Sequence, residues 1–264
     1  MLALVLGHRL DPTANAVAAA LDRRGGCQVV RRDITGLAAA RWQHRLAADG
    51  SVTTQVDSDG IAIGAPDVVF NRLGPVQALA FRGWSAVDRG YGQAEWLALL
   101  VSWLSALGRR VVGAPSGSDL CGPADRPWLW QAAAAAAGLG VHPAGATTSP
   151  RLLPAPRGAV AQAGLVAPMP PGLADPPTGY AAAVTATCDL LVIGDAVHGA
   201  IDPGAATRAA CLALSAARST PVLALTLAQA GSGPWRFVAA DPAPLVTDGA
   251  PLHALAALIA ARAA

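Results

Sequence analysis

The sequence predicts an α/β fold: a parallel sheet with helices, followed by an α+β region. Three observations carry this. Leu2 to Leu6 is an unbroken apolar run, as expected of a strand buried on both faces. A capped helix and a second strand follow, making a βαβ unit. Strand and helix patterns then alternate along the first half of the chain, as layered α/β architectures require.

The elements follow in order. Asp11 can cap the first helix, Pro12 suits its first position, Val17 to Leu21 supply an apolar stripe, and Gly25 and Gly26 end it. Cys27 to Arg32 reads as the second strand. Ser51 to Val56 and Ile61 to Ile63 flank a Ser-Asp-Gly turn and read as a hairpin. Asp67 to Asn71 is a further strand. Gln93 to Leu107 places Trp96, Leu99, Leu100, Trp103 and Leu107 at helical spacing. Arg110 to Val112 makes a short strand ending at Gly113, and Asp125 with Pro127 opens an alanine-rich helix that Gly138 stops. Val141 to Thr147 returns to the sheet. Pro150 to Pro177 holds eight prolines and little periodicity, so a loop or small lid is expected there. Asp189 to Ile193 and Val197 to Ile201 form a second hairpin. A helix from Ala205 to Ala217, strands Pro221 to Leu227 and Trp235 to Ala239, and a helix from Leu252 to Ala263 close the chain. No internal repeat is visible.

Composition excludes several classes. With 264 residues, 53% of them hydrophobic, the chain has ample material for a packed core. Only 14% of residues are charged, against roughly 25% in ordinary globular domains. The longest uncharged stretch, Pro127 to Pro150, is mostly alanine and glycine, whereas a spanning helix needs about 20 strongly apolar residues. The first ten residues lack the basic region and cleavage site of a signal peptide and read as a strand. Cys27, Cys121, Cys188 and Cys211 are far apart, so buried free thiols in a cytoplasmic setting are expected, without a zinc site or disulfide framework. A net charge of +2 and no basic aromatic face give no reason to expect nucleic acid or membrane as partner. All 19 basic side chains are arginine, so any phosphate or carboxylate must be held by arginine or backbone amides.

The order of these signals resembles the ATP-grasp superfamily, in particular the peptide maturases and the ligases similar to glutathione synthetase. The residues that carry the likeness are Asp11 to Ala14, the hairpin around Gly60, Phe70-Asn71-Arg72 and Glu95. Ala114-Pro115, Arg126 where a lysine would open a helix, Gly138 to Pro143, and Leu191 to Asp195 in place of a V-V-G-D strand continue it. The resemblance implies a domain similar to the pre-ATP-grasp region over residues 1–112 and a reduced ATP-grasp-like domain over 113–264, with the lid at 150–177. Such ligases place a glutamate and an asparagine two residues apart on a late strand, because two Mg²⁺ ions need hard oxygen ligands. Here the corresponding residues are Ala239 and Asp241, followed by Pro242.

The resemblance therefore implies a degenerate ATP-grasp-like protein of a peptide- or amino-acid-modifying pathway. It would bind a substrate, leader peptide or partner enzyme in the ancestral cleft, with ATP-dependent ligation lost and no cofactor needed. The rival reading is an active carboxylate–amine ligase using ATP and Mg²⁺, with Asp195, Asp202 or Asp241 supplying metal oxygens. A homodimer is a further possibility. Arg72, Arg126 and Arg236 are the expected anion contacts, since a guanidinium pairs bidentately with carboxylates. His8 and Asp11 follow the first strand at the sheet edge where ligands bind. Ser116 and Ser118 lie in a glycine-rich loop whose amides could meet an anion, though it has neither Walker nor GxGxxG spacing. His198, Asp202 and Arg208 follow the second hairpin turn. His44, His142 and His253 show no metal spacing, and no GxSxG elbow or Cys-His pairing is present. Trp128 and Trp130 cannot both be buried on one helix face.

Overall fold

The structure, a computed structural model, describes residues 1–74, 83–116, 119–123, 125, 127–141, 159–161, 180–182 and 184–263. The chain begins with β1 (Leu2–Gly7), α1 (Pro12–Arg24) and β2 (Gln28–Arg32). Asp11 caps α1 by accepting from the Ala14 amide at 3.0 Å, and Gly25 closes it at φ 75°. Two elements not expected from the sequence follow. They are α2 (Ile34–Ala39), capped by Asp33, and β3 (Arg41–Leu46). Helix α2 is too short to show a period. In β3 the inward residues, Trp42 and His44, alternate with Arg41, Gln43 and Arg45, a polar-looking string that hides its pattern. Strands β3, β4 (Val52–Ser58) and β5 (Ile61–Ala62) pair antiparallel. Asp59 and Gly60, both left-handed at φ 55° and 77°, make the two-residue turn between β4 and β5.

Strand β6 (Val68–Arg72) leads to α3 (Ala86–Leu107) and β7 (Val111–Val112). Helix α3 starts seven residues before the expected Gln93, because the Ser85 hydroxyl accepts from the Asp88 amide and caps an earlier turn. Gly90 and Gly92 break the apolar pattern there without breaking the helix. Leu100, Trp103 and Leu104 bury against the β-layer, and Trp42 meets Trp96 and Trp103 edge-on at 5.3 and 5.1 Å. His44 lies 2.9 Å from both the Thr54 and Ser102 hydroxyls, tying the hairpin to α3. The sheet order is β2-β1-β6-β7, parallel throughout.

The second half contains α4 (Pro127–Ala136), β8 (Gly140–Val141), β9 (Ala159–Ala161), β10 (Tyr180–Ala182), β11 (Ala186–Ile193), β12 (Ala196–Gly199), α5 (Ala205–Ala217), β13 (Val222–Gln229), β14 (Arg236–Asp241) and α6 (Gly249–Ala261). Trp130 is buried and Trp128 is 42% exposed, so the two tryptophans face apart. Asp125 pairs with Arg218, whose guanidinium lies 5.4 Å from the Trp130 ring centre. Of the return strand expected over Val141 to Thr147 only Val141 is described, at the end of β8; residues 142–147 lie outside the described residues. Within the expected loop or lid, β9 is a strand, paired antiparallel with β10. The other residues of 150–177 lie outside those described.

The second sheet has the order β12-β11-β13-β14-β8, antiparallel except between β14 and β8. One face, with Leu190, Val192, Leu223, Leu225, Leu227 and Phe237, packs with Trp130, Ala134 and the α5 residues Cys211 and Leu214. Helix α6 joins the two halves. Its Leu252, Leu255 and Ile259 share one core with Val5, Val17, Leu21 and Phe70 on one side and with Ile193 and Val222 on the other. No helix among the described residues is long and apolar enough to cross a membrane. All four cysteines are free, and Cys27 alone is only half-buried.

Candidate functional site

The carboxyl ends of β1, β6 and β7 form the edge where open parallel sheets take ligands. Gly7 and Arg72 are paired there in register. The second oxygen of the capping Asp11 accepts from Arg72 Nε at 2.8 Å, with both side chains about 12–13% exposed. Arg72 Nη1 donates to the Pro244 carbonyl at 2.9 Å, and the Thr13 hydroxyl accepts from the Val246 amide at 2.9 Å. The segment after β14 is thereby docked against the sheet edge. The guanidinium expected to meet an anion is largely engaged within the protein.

Next to this pair, Asn71 is fully buried. Its Nδ2 donates to the Gly113 and Leu120 carbonyls at 2.7 and 2.6 Å, and its Oδ1 accepts from the Leu73 amide at 3.1 Å. Two glycines let the 113–122 loop close over it. A Cβ at Gly113 (φ 82°) would stand 2.3 Å from the Asn71 carbonyl oxygen, and one at Gly122 (φ 71°) would stand 2.8 Å from Pro242 Cβ. The result is a narrow crevice between the two halves, lined by Arg72, Cys121, Gly122, Thr220 and Pro242 among others. Burial pushes the Cys121 thiol up to about 12, so it is no nucleophile at neutral pH. Ser116 donates to the Gly122 carbonyl at 2.8 Å and accepts from the Asp119 amide, which uses its hydroxyl inside the loop. Ser118 and Arg126 lie outside the described residues. His8 is exposed, and its Nδ1 accepts from the Leu10 amide.

The register of the second sheet defines its other face, turned away from α4 and α5. Asp189, Thr226 and Ala239 lie in one cross-strand row, and His198, Leu191, Ala224 and Asp241 in the next. Thr226 donates its hydroxyl to Asp189 at 2.8 Å. Arg236 begins β14 and donates to the Val141 carbonyl at 3.0 Å. His198 sits on the edge strand β12, its Nε2 buried with no hydrogen-bond partner. Asp202 accepts from the Gly204 amide at 3.0 Å and from Arg208 Nε at 2.9 Å. Those two contacts, the amide first, hold its carboxyl below the usual range.

Apart from Ser116 in its loop, most of the expected residues that are described fall in three places. Arg72, Asp11 and His8 share the parallel-sheet edge, and Arg236 and Asp241 share β14. His198, Asp202 and Arg208 cluster at β12, with β11 and β13 between them and β14. At about 4.8 Å per strand, that puts β12 and β14 roughly 14 Å apart, too far to clasp one small anion together. Asp189 and Thr226 were missed from the sequence, and Asn71 entered only within the Phe70-Asn71-Arg72 likeness, with no role of its own. The one signal was a polar side chain inside each of three mostly apolar strands.

Among the described residues the expected donors do not assemble a site for a pair of Mg²⁺ ions. Ala239 has no side-chain oxygen, Asp195 sits in the β11–β12 turn, Asp202 is paired with Arg208, and Asp241 caps the Ala243 amide. Among the described residues no three His, Cys, Asp or Glu side chains are grouped to hold a metal.

No protein-family model and no curated protein sequence matches the chain. Solved structures do. The macrocyclase MdnC from Microcystis aeruginosa MRC, bound with precursor peptide MdnA, superposes with a TM-score of 0.77 at 12% identity, over 99% of this chain and 100% of that one. The ATP-grasp ligase PsnB, complexed with precursor peptide PsnA2 and AMPPNP, gives 0.75 at 17% identity over 99% and 98%. This chain has an ATP-grasp-like fold. A RiPP-associated ATP-grasp ligase from Chryseobacterium gregarium, in complex with ADP and a leader and core peptide, is similar at a TM-score of 0.70 and 12% identity, over 98% and 96%. The fold expected from the order of the sequence signals is thus the observed one.

Proposed function

We propose that this chain is a degenerate ATP-grasp-like protein of a peptide- or amino-acid-modifying pathway. It binds a substrate, leader peptide or partner enzyme, and ATP-dependent ligation has been lost. Residues 1–112 serve as the pre-ATP-grasp-like part and 113–264 as the reduced grasp part. The observation that carries the reading is Ala239, on the sheet face turned away from α4 and α5 and flanked there by Thr226 and Ala224. The resemblance implies a metal-binding carboxylate at that place in active ligases, because phosphoryl transfer depends on cations that bridge and neutralise the phosphates. A methyl group supplies nothing of the kind. The neighbours' complexes with precursor and leader peptides support a peptide as the ligand class. Leu10 and Leu245, 72% and 68% exposed, offer apolar side chains beside the Thr13–Pro244 contact. Calorimetric titration of the chain with ATP and Mg²⁺ tests the loss. No heat of binding is expected, and clear micromolar affinity would restore the active-ligase reading.

A further inference from the structure

The outer face of α3 carries an apolar stripe that no element of the described structure covers. Val87 is 82% and Tyr91 68% exposed, and Ala94 and Ala98 continue the stripe at helical spacing, also exposed. One flank of the stripe bears Asp88 and Glu95, both exposed and seven residues apart, about 10 Å along the helix axis. The only basic residue of the helix, Arg89, is half-buried and lies seven residues before Trp96, on the side that faces the core. The exposed face is therefore apolar in the middle and negative along one side.

We propose that this face docks a basic amphipathic helix of a partner protein, with an apolar stripe against Tyr91 and Val87 and two cationic side chains two turns apart reaching Asp88 and Glu95. Charge decides the occupant. An antiparallel two-fold pairing of two α3 helices through this face brings the same acidic flanks together, and like charges there oppose that homodimer. A cationic helix gains attraction at both carboxylates. The inference goes beyond the reading of the cleft and does not depend on it.

The test uses two synthetic helix-forming peptides with a leucine stripe, one carrying two arginines seven residues apart, the other glutamates at the same places. Binding to the full chain is followed by fluorescence anisotropy. The arginine peptide is expected to bind about tenfold or more tightly than its twin, with the difference shrinking in high salt. Tyr91→Asp and Glu95→Arg, both surface changes, each weaken it by a similar factor while circular dichroism stays unchanged. Equal affinity for the two peptides on the unaltered chain overturns the proposal. So does a dimer, seen by light scattering, that Tyr91→Asp dissociates.

Discussion

Replacing Asn71 by alanine should destabilise the protein more than any other single polar truncation near the crevice. The side chain is fully buried and makes three hydrogen bonds, two donated to carbonyls of the 113–122 loop and one accepted from Leu73. Each bond contributes on the order of 1 kcal/mol net, and the abandoned partners, with little water to replace Asn71, add part of their desolvation cost. The expected loss is about 3 to 5 kcal/mol, or roughly 6 to 20 °C in Tm for a chain of this size. Asn71→Asp should be worse than alanine, because a carboxylate would face the Gly113 and Leu120 carbonyls at under 3 Å. Urea denaturation followed by tryptophan fluorescence measures both. A loss below about 1 kcal/mol for alanine, or an aspartate variant more stable than the alanine one, refutes the reasoning.

Other outcomes follow from the same contacts. Arg72→Ala and Asp11→Ala should each cost about 2 to 4 kcal/mol, with a double-mutant cycle giving clear coupling, since removing one partner strands a mostly buried charge; additive losses in urea melts would deny the pair. Cys121, Cys188 and Cys211 should label slowly with iodoacetamide at pH 8 and Cys27 fastest, as peptide mapping would show, because the first three are buried. The raised Cys121 and Cys211 thiols, at about 12 and about 11, favour the protonated native state. Stability should be full below about pH 9 and fall as pH rises toward 11–12, since the unfolded thiols ionise first; a flat urea midpoint over that range, after Cys121→Ser and Cys211→Ser controls, would contradict it. Arg208→Ala should move the depressed Asp202 carboxyl up toward its ordinary value. Its native contribution, present above the unfolded carboxylate range and lost as pH falls through the folded value, should shrink, as NMR titration of the side chain can follow.

Sequence reasoning captured elements whose physics is local. The Asp11 cap, the Asp59-Gly60 turn and the apolar run of β1 each carry their signal within a few residues, and all appear where expected. What it missed was either short, as with α2, or disguised, as with β3, whose inward face is Trp42 and His44 rather than aliphatic. The start of α3 was missed because two glycines masked a Ser85 cap. Site prediction fared differently. Arg72 and Asp11 were each singled out, but their union spans 61 residues, and nothing local shows that the arginine serves a neighbour instead of a ligand. The crevice depends on Asn71 and on two glycines whose meaning lies in backbone approach across the fold, information that no window of sequence contains.

Helix α6 also bears on how the protein is made. The face of the first sheet that holds Val5 and Phe70 is completed by Leu252, Leu255 and Ile259. Ribosomes emit the chain from its amino end at about 5–20 residues per second, so roughly 180 residues separate Arg72 from Leu252 and their synthesis takes about 10 to 40 seconds. Throughout that interval the apolar side of the nascent sheet is covered only in part, by α1, and the rest is open to chaperones or to a neighbouring nascent chain. Slowing translation late in the message should therefore lower soluble yield more than slowing it early.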